Sequence, residues 1–269
     1  MPRVRLPGTD NGTVNDARLA ATLARQAGEL LVEARSRSGY QGKELGRHGD
    51  AESNKLLLRG LAGARPRDAV LSEESADSPG RLTADRVWII DPLDGSREYG
   101  LPGRDDWAVH VALWQRGSAA PGGITAAAVA QPARGTVYAS DDALTPAAGA
   151  ARAGRRPRFL VSDSRPPQWA APVAEALGAE LAPMGSAGAK AMAVLRGDAD
   201  AYLHGGGQYE WDSAAPVGVV QAAGLHASRA DGSPLQYNQA RPYLPDLVIC
   251  PAAQAPALLA AIAAALTLS

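Results

Sequence analysis

Two kinds of hydrophobic pattern follow each other along the first half of the chain. Leucines recur every three or four residues over 15–36, which predicts an amphipathic helix that begins at Asn15 or Asp16. After a glycine-rich break, a second helix is expected with Asp50 at its head. The pattern then changes to short β-branched or alternating apolar runs, which are typical of an extended, largely antiparallel sheet. The predicted strands lie at 69–72, 87–90, 107–114, 124–130 and 136–139.

The second half of the chain predicts a further layer of strands and helices. Segment 141–157 is rich in Ala, Gly, Pro and Arg and has no periodic apolar face, so we place a boundary there, between an N-terminal half, 1–150, and a C-terminal half, 151–269. Strands are expected at 158–162, 199–204 and 247–250, helices at 168–177, 211–223 and the C-terminal end, and a loop at 183–190 followed by a helix through Leu195. The patterns alone indicate an α/β protein in two halves.

Composition narrows the classes of function. The formal net charge of the 269 residues is −1 and 20% of them are charged, so no basic field favours a nucleic-acid polymer, and a small compact ligand is expected. The single cysteine, Cys250, follows an apolar run and is interpreted as a packed core thiol. No apolar signal region is seen near the start, and the apolar tail is too short to span a bilayer, which predicts no membrane partner and a cytoplasmic location.

The stretch from Asp91 to Ser96 carries the densest chemistry. The strand at 87–90 is expected to end at Asp91-Pro92, because proline cannot donate to a sheet ladder. Asp94-Gly95 is a turn signal and Ser96 is read as a helix start, so the backbone N–H groups of Gly95 and Ser96 would be free to bind phosphate. Taken alone, the D-x-x-D-G pattern favours a solvated turn with a capping aspartate over a functional site. In context it predicts a site where cations and a phosphate meet.

Two further acidic blocks supply that context. Glu73-Glu74 follows the strand at 69–72, and Trp211-Asp212 opens a predicted helix whose first turn favours a negative charge. Individually these are a surface acid and a helix cap. Together with Asp91-Pro92-Leu93-Asp94-Gly95-Ser96 they closely resemble the E-E, D-P-[LI]-D-G-[ST] and W-D blocks of the inositol monophosphatase superfamily, the lithium-sensitive, magnesium-dependent phosphomonoesterases. The resemblance covers nearly the whole chain and implies a layered αβαβα sandwich.

The resemblance implies a set of metal and catalytic residues. One Mg²⁺ would be held by Glu73, Asp91 and the Leu93 carbonyl, and a second by Asp91, Asp94 and Asp212. Asp50 and Ser96, together with Glu73, would position or deprotonate the attacking water. Clustered carboxylates repel one another strongly without cations, so two or three Mg²⁺ ions are expected, with Mn²⁺ as an alternative and Li⁺ as an inhibitor. A two-metal site activates water and stabilises the entering and leaving oxygens of a phosphoryl displacement.

The wording around the second block is closest to the CysQ-type branch of the superfamily. That likeness implies hydrolysis of the 3′-phosphate of 3′-phosphoadenosine 5′-phosphate to AMP, which clears a by-product of sulfate assimilation. Lys190, on a glycine-rich loop, would bind the 5′-phosphate, and Arg104 is a second candidate. The predicted substrate-binding residues are Gly95, Ser96, Arg104, Ser186, Lys190 and His204.

Two features of the chain leave this specificity open. His204 stands where some relatives have arginine, and the loop after it is shorter; His204 could equally be a polar strand end and Arg104 a solvated arginine. An inositol-1-phosphate or fructose-1,6-bisphosphate phosphatase is therefore the alternative. A non-catalytic nucleotide-binding regulator is the distant alternative, and it would be expected to have lost an acidic ligand, whereas none is lost here. A homodimer is also open.

Overall fold

The computed structural model describes residues 15–146 and 155–267. Its N-terminal part is built on a five-stranded sheet in sequence order, in which β1 and β2 are parallel and the remaining neighbours antiparallel. The strands are β1 Ala69–Ser72, β2 Arg86–Asp94, β3 Ala108–Gln115, β4 Ile124–Gln131 and β5 Thr136–Ala139. The largely antiparallel sheet predicted from the alternating runs is therefore confirmed.

A second five-stranded sheet forms the C-terminal part, with strand order β10-β12-β8-β6-β7. Its strands are β6 Arg158–Ser162, β7 Glu180–Met184, β8 Ala201–His204, β10 Leu225–Ser228 and β12 Leu247–Pro251, and a separate short pair consists of β9 Gln208–Tyr209 and β11 Tyr243–Leu244. The helices are α1 Asp16–Arg37, α2 Gly42–Ala64, α3 Ser96–Tyr99, α4 Ala170–Ala176, α5 Ala187–Leu195, α6 Glu210–Ala222 and α7 Ala255–Leu266.

Three apolar clusters define five layers. Helices α1 and α2 pack on one face of the first sheet, α5 and α6 lie between the two sheets, and α4 and α7 cover the outer face of the second sheet. Strand β2 is covered by helices on both faces: Trp88 and Ile90 face the outer helices, and Val87 and Ile89 face the middle layer. A strand buried on both faces is apolar at every position. The expected αβαβα sandwich is confirmed.

Two local predictions in the N-terminal part were wrong. Strand β2 does not stop at Asp91 but continues to Asp94, because a register shift between these two residues accommodates Pro92 where no ladder donor is needed. Asp50 is not the head of a helix, since α2 begins eight residues earlier, at Gly42, and Asp50 lies buried in its middle. The glycines before Asp50 belong to the helix, where they allow close packing instead of marking a break.

At Gly46 and Gly49, helix α2 packs closely against residues 93–99, which follow the acidic end of β2. A Cβ at Gly46 would lie 2.8 Å from the Ser96 carbonyl oxygen, and one at Gly49 would lie 2.9–3.0 Å from the side chains of Tyr99 and Leu93. Side chains larger than glycine would hold the helix away. The two glycines therefore place Asp50 beside the end of β2.

Three predictions about single residues are confirmed. Asn15 caps α1 by accepting from the backbone N–H of Ala17, Asp212 lies in the first turn of α6, and Cys250 is a buried free thiol, all as predicted. The boundary placed at 150/151 falls in residues 147–154, which lie outside the described ranges, so it stays a prediction. Among the described helices, none has the length and apolarity needed to cross a bilayer.

Candidate active site

Three aspartates from two distant parts of the chain meet at the end of strand β2. One carboxylate oxygen from each of Asp91, Asp94 and Asp212 lies within 4.8 Å of the others. The first two come from the irregular end of β2, and the third comes from the first turn of α6, which packs between the sheets. The meeting of these three predicted metal ligands is thereby observed.

The Asp91 carboxylate lies among several other negatively charged side chains. Its Oδ1 accepts from the backbone N–H of Leu93 at 3.0 Å, whereas its buried Oδ2 has no hydrogen-bond partner among the described residues. Burial, followed by the charges of Glu73 and Asp94, raises the pKa of Asp91 well above its usual range. A buried carboxylate oxygen without a donor, facing other carboxylates, fits a hard divalent cation, which takes oxygen ligands.

Asp94, in contrast, is surrounded by donors. Its Oδ2 accepts from the backbone N–H of Gly188 at 2.7 Å and from the Ser186 hydroxyl, and it lies 3.2 Å from Nε2 of His110. Burial alone would raise the pKa of Asp94, but the charge of His110 and these hydrogen bonds lower it to about 2. Asp94 is therefore ionised at neutral pH even without a metal.

His110 is a site residue that sequence reasoning missed. It lies directly opposite Asp91 across the β2–β3 ladder and is fully buried. Burial lowers the pKa of His110, but the Asp94 charge and hydrogen bond outweigh it, so the net direction is upward. The signal was available, because His110 is the polar residue on the face of β3 that it shares with Ala108 and Ala112.

Glu73, Asp50 and Asp212 complete the acidic environment. Desolvation, followed by like charges nearby, raises the pKa of Asp212 to about 7 and of Asp50 to about 8, and the same causes raise that of Glu73 to about 7, an upper figure because the Glu73 side chain is exposed to solvent. The charge of Glu73 raises the pKa of Asp91, but Glu73 is not one of the three residues whose carboxylate oxygens lie within 4.8 Å of one another. Asp212 also accepts from the backbone N–H of Tyr209 at 2.6 Å, so it caps α6 as well as facing the cluster.

A pocket of about 230 Å³ opens beside the cluster. Seven predicted site residues line it, namely Asp94, Gly95, Ser96, Ser186, Lys190, His204 and Asp212. Gly95 has a φ of 88°, a left-handed conformation that starts the short helix α3 and suits glycine. Sequence reasoning missed Arg97, Arg165 and Gln208, which also line the pocket. Arg97 directly follows the Asp91–Ser96 motif, whereas no motif marks Arg165 or Gln208.

Lys190 and Arg104 are placed differently from the prediction. Lys190 lies in helix α5 and not in the preceding loop, and it is only 2% exposed. Its amine donates to the backbone carbonyls of Gly185, Ser186 and Met184, and burial lowers its pKa to about 8. Arg104 is absent from the pocket lining, because both arms of its guanidinium bind Asp106. Both cations brace the loop at residues 184–186.

The remaining polar groups of the pocket are His204 and Arg165. His204 is 3% exposed and its Nε2 has no partner among the described residues. Burial, then the charges of Lys190 and Arg165, lowers the pKa of His204 to about 4, so the ring is neutral. Arg165 is exposed, and within the described ranges no carboxylate pairs with its guanidinium. Arg165 is therefore a free cation at the rim.

Residues 15–267 match the model of the inositol monophosphatase family. The chain belongs to this family. It is 58% identical over 257 residues to the 3′-phosphoadenosine 5′-phosphate phosphatase of Mycobacterium leprae, covering 93% of this chain and 94% of that protein. It is 29% identical over 213 residues to the 3′(2′),5′-bisphosphate nucleotidase CysQ of Escherichia coli, covering 72% and 80%. The predicted likeness to the CysQ-type branch is confirmed.

Solved structures give the same fold. The crystal structure of staphylococcal IMPase-II superposes with a TM-score of 0.74 at 17% identity, covering 94% of this chain and 96% of that one. At this identity the likeness establishes the fold alone.

Proposed function

We propose that this protein is a Mg²⁺-dependent phosphomonoesterase that hydrolyses the 3′-phosphate of 3′-phosphoadenosine 5′-phosphate to AMP and phosphate. The observation that carries the proposal is the three-aspartate cluster with its donor-free Asp91 Oδ2, in a chain more than half identical to a phosphatase of that name. No acidic residue of the three motif blocks is missing, which disfavours a non-catalytic regulator. Removal of a by-product of sulfate assimilation, in the cytoplasm, is the physiological role that we propose.

Glu73, Asp91, Asp94, Asp212 and the Leu93 carbonyl would hold the metal ions. Mg²⁺ suits this all-oxygen set, with Mn²⁺ as an alternative, and we propose two or three ions per site with Li⁺ as a competitor. When bound, the cations would lower the pKa of water and offset the charge that develops on the phosphoryl oxygens. The protein's task is to keep the carboxylates close enough for this, which the donors around Asp94 and the cap on Asp212 support.

The chain's own groups would orient the reaction. Asp50 is buried beside residues 93–99, where its carboxylate would accept a proton from the attacking water. Ser96 lines the pocket, and we propose that its hydroxyl helps Asp50 to position the attacking water. The left-handed Gly95 starts α3, so its N–H and that of Ser96 are available to phosphate oxygens.

For the second phosphate, Arg165 is the strongest candidate in the described structure. Its guanidinium has no acidic partner, it is exposed, and it lines the same pocket as Ser96 and Asp212. The neutral, unpartnered His204 is a candidate hydrogen-bonding group beside it. Lys190 and Arg104 would contribute indirectly by fixing the loop at 184–186.

The decisive experiment is phosphate release with Mg²⁺ on 3′-phosphoadenosine 5′-phosphate, inositol 1-phosphate and fructose 1,6-bisphosphate. We expect the highest kcat/KM for the nucleotide and loss of activity with EDTA. A higher kcat/KM for either of the other two would replace the proposed substrate and keep the phosphatase. Full activity in EDTA would overturn the metal-dependent mechanism.

A further inference from the structure

A buried arginine lies just after the loop that carries Glu73 and Glu74. Arg81 belongs to a 3₁₀ turn at Pro79–Leu82 and is 1% exposed. Its guanidinium binds both carboxylate oxygens of Asp77 at 2.7 and 2.9 Å, the side-chain oxygen of Asn238 at 2.7 Å and the carbonyl of Gln239 at 2.9 Å. Asn238 returns a hydrogen bond to the Arg81 carbonyl at 3.2 Å. Arg81 therefore joins two segments that are far apart in sequence.

Glu210 also binds Asn238 and Gln239. This glutamate is the first residue of α6 and is 1% exposed. Its two carboxylate oxygens accept from the backbone N–H groups of Asn238, at 2.6 Å, and Gln239, at 2.8 Å. Asn238 has a φ of 58° and is the one non-glycine residue in the described ranges with a left-handed backbone. Such a backbone persists where the surroundings determine it.

Glu210 and Arg81, at the two ends of this network, lie near the two elements that carry the proposed metal ligands Asp212 and Glu73. Glu210 precedes Asp212 by two residues in the same helical turn, so fixing the one restricts the other. Arg81 follows the Glu73-Glu74 loop, whose other flank is held by the Asn54 side chain on Glu74 and Ser75. The helix and the loop are far apart in sequence, since one begins at residue 210 and the other follows strand β1 at residue 72. The segment 238–239 is the polar connection between them.

We propose that Arg81, Asn238 and Glu210 are positioning residues that hold Asp212 and the Glu73 loop at the spacing needed to bind divalent cations. The inference rests on the proposed metal-dependent function. A purely stabilising role is a poor explanation, because buried charged groups add little net stability compared with apolar packing of the same volume. Their directional bonds instead fix one geometry.

The test is direct Mn²⁺ binding, measured by electron paramagnetic resonance of free Mn²⁺, on the wild type and three variants. Arg81→Lys keeps the positive charge and loses the forked geometry, and we expect its Kd to rise by about ten- to a hundredfold, as for other groups that orient metal ligands. Asn238→Gly keeps the left-handed backbone and the N–H to Glu210, and loses both side-chain hydrogen bonds to Arg81, so a rise of roughly fivefold is expected. Arg86→Lys is the control, because Arg86 binds Asp68 and Asp16 at the opposite end of β2.

Melting temperature is measured in parallel without metal. We expect Arg86→Lys to leave the Mn²⁺ affinity unchanged even if it lowers the melting temperature. Wild-type affinity in both Arg81→Lys and Asn238→Gly would overturn the inference, whatever their stability. If Arg81→Lys does not fold, Asn238→Gly alone decides the matter. A wild type that binds no Mn²⁺ would instead refute the proposed metal-dependent function.

Discussion

Nε2 of His110 lies 3.2 Å from Oδ2 of Asp94, while Nδ1 of the same ring lies 3.0 Å from the carbonyl oxygen of Trp211. Both ring nitrogens therefore face acceptors, which favours the doubly protonated imidazolium. The carbonyl belongs to the residue before Asp212, so one ring contacts both elements that supply the aspartates. Burial lowers the pKa of His110 but the Asp94 charge outweighs it, the His110 charge lowers the pKa of Asp94, and burial with the charges of Glu73 and Asp94 raises the pKa of Asp91.

Gly188 should be essential to this contact. A Cβ added there would overlap Nε2 of His110 and lie 3.1 Å from the Ala108 side chain. We expect Gly188→Ala to displace the ring and lower the free energy of unfolding by about 1–3 kcal/mol, the usual cost of overpacking. Gly63→Ala is the control, since that helical glycine has open space around its Cβ and alanine should add about 1 kcal/mol. Urea unfolding measures both, and equal stabilities would contradict the assigned contact.

Substituting Asp91 and Asp94 should change stability in opposite directions. Asp91→Asn removes a charge that burial and its neighbours disfavour, so we expect the metal-free protein to gain about 1–2 kcal/mol. Asp94→Asn removes the acceptor of charge-assisted bonds and should cost about 1.5–3 kcal/mol. Both should abolish turnover at millimolar Mg²⁺. Denaturant unfolding in EDTA checks the signs, and a gain for Asp94→Asn would show that its donors do not stabilise the carboxylate.

The metal-free protein should become less stable as the pH rises from about 5 to 8. The pKa values of Asp91, Glu73, Asp212 and Asp50 are raised above those of the unfolded chain, so over this range the native state holds more protons than the unfolded state. Stability then falls with pH, by up to about 1.4 kcal/mol per pH unit for each buried carboxyl that is protonated only in the native state, and by less for the solvent-exposed Glu73. Asp94 has the opposite shift, but it acts below about pH 4; His204, whose pKa is lowered from 6.5 to about 4, opposes the trend only up to about pH 6.5 and as a single group.

Added Mg²⁺ should reverse this trend, because the cation replaces the protons. The measurement is the melting temperature in EDTA and in Mg²⁺ at several pH values, with Asp91→Asn as a control of weaker pH dependence. A melting temperature in EDTA that rose steadily from pH 5 to 8 would contradict the raised pKa values.

Local patterns predicted the helices and strands, whereas the layered fold and the acidic cluster were predicted from the resemblance of the three motif blocks to a known family. Apolar periodicity determines which face of a strand is buried, and the three motif blocks each lie at the end of a regular element. Asp50 was misplaced because Gly46 and Gly49 look like helix breakers in sequence, whereas in the structure they permit close contact with the segment around Leu93 and Ser96. Tertiary packing outweighed intrinsic propensity there.

The substrate pocket was harder to predict because the sequence does not show which of its charged side chains are already bound to other groups of the protein. Lys190 could be located as a cation near a glycine-rich loop, but its three carbonyl acceptors become visible only when β7 and α5 are folded. Arg165 carries no motif, and what distinguishes it is the lack of an acidic partner in the described structure. The availability of a charge is a three-dimensional property.

The last prediction separates these two cations. Arg165→Ala should lower kcat/KM for 3′-phosphoadenosine 5′-phosphate by roughly ten- to a hundredfold, the equivalent of losing one charge-assisted contact, and should leave inositol 1-phosphate nearly unchanged because it has no second phosphate. Lys190→Ala should lower kcat/KM for both substrates together, since its amine holds the loop whose Ser186 donates to Asp94. Arg67→Ala, at an arginine on the loop between α2 and β1 outside the pocket lining, is the control. A selective loss in Lys190→Ala with none in Arg165→Ala would assign the second phosphate to the lysine after all, and would require the helix to release the amine when substrate binds.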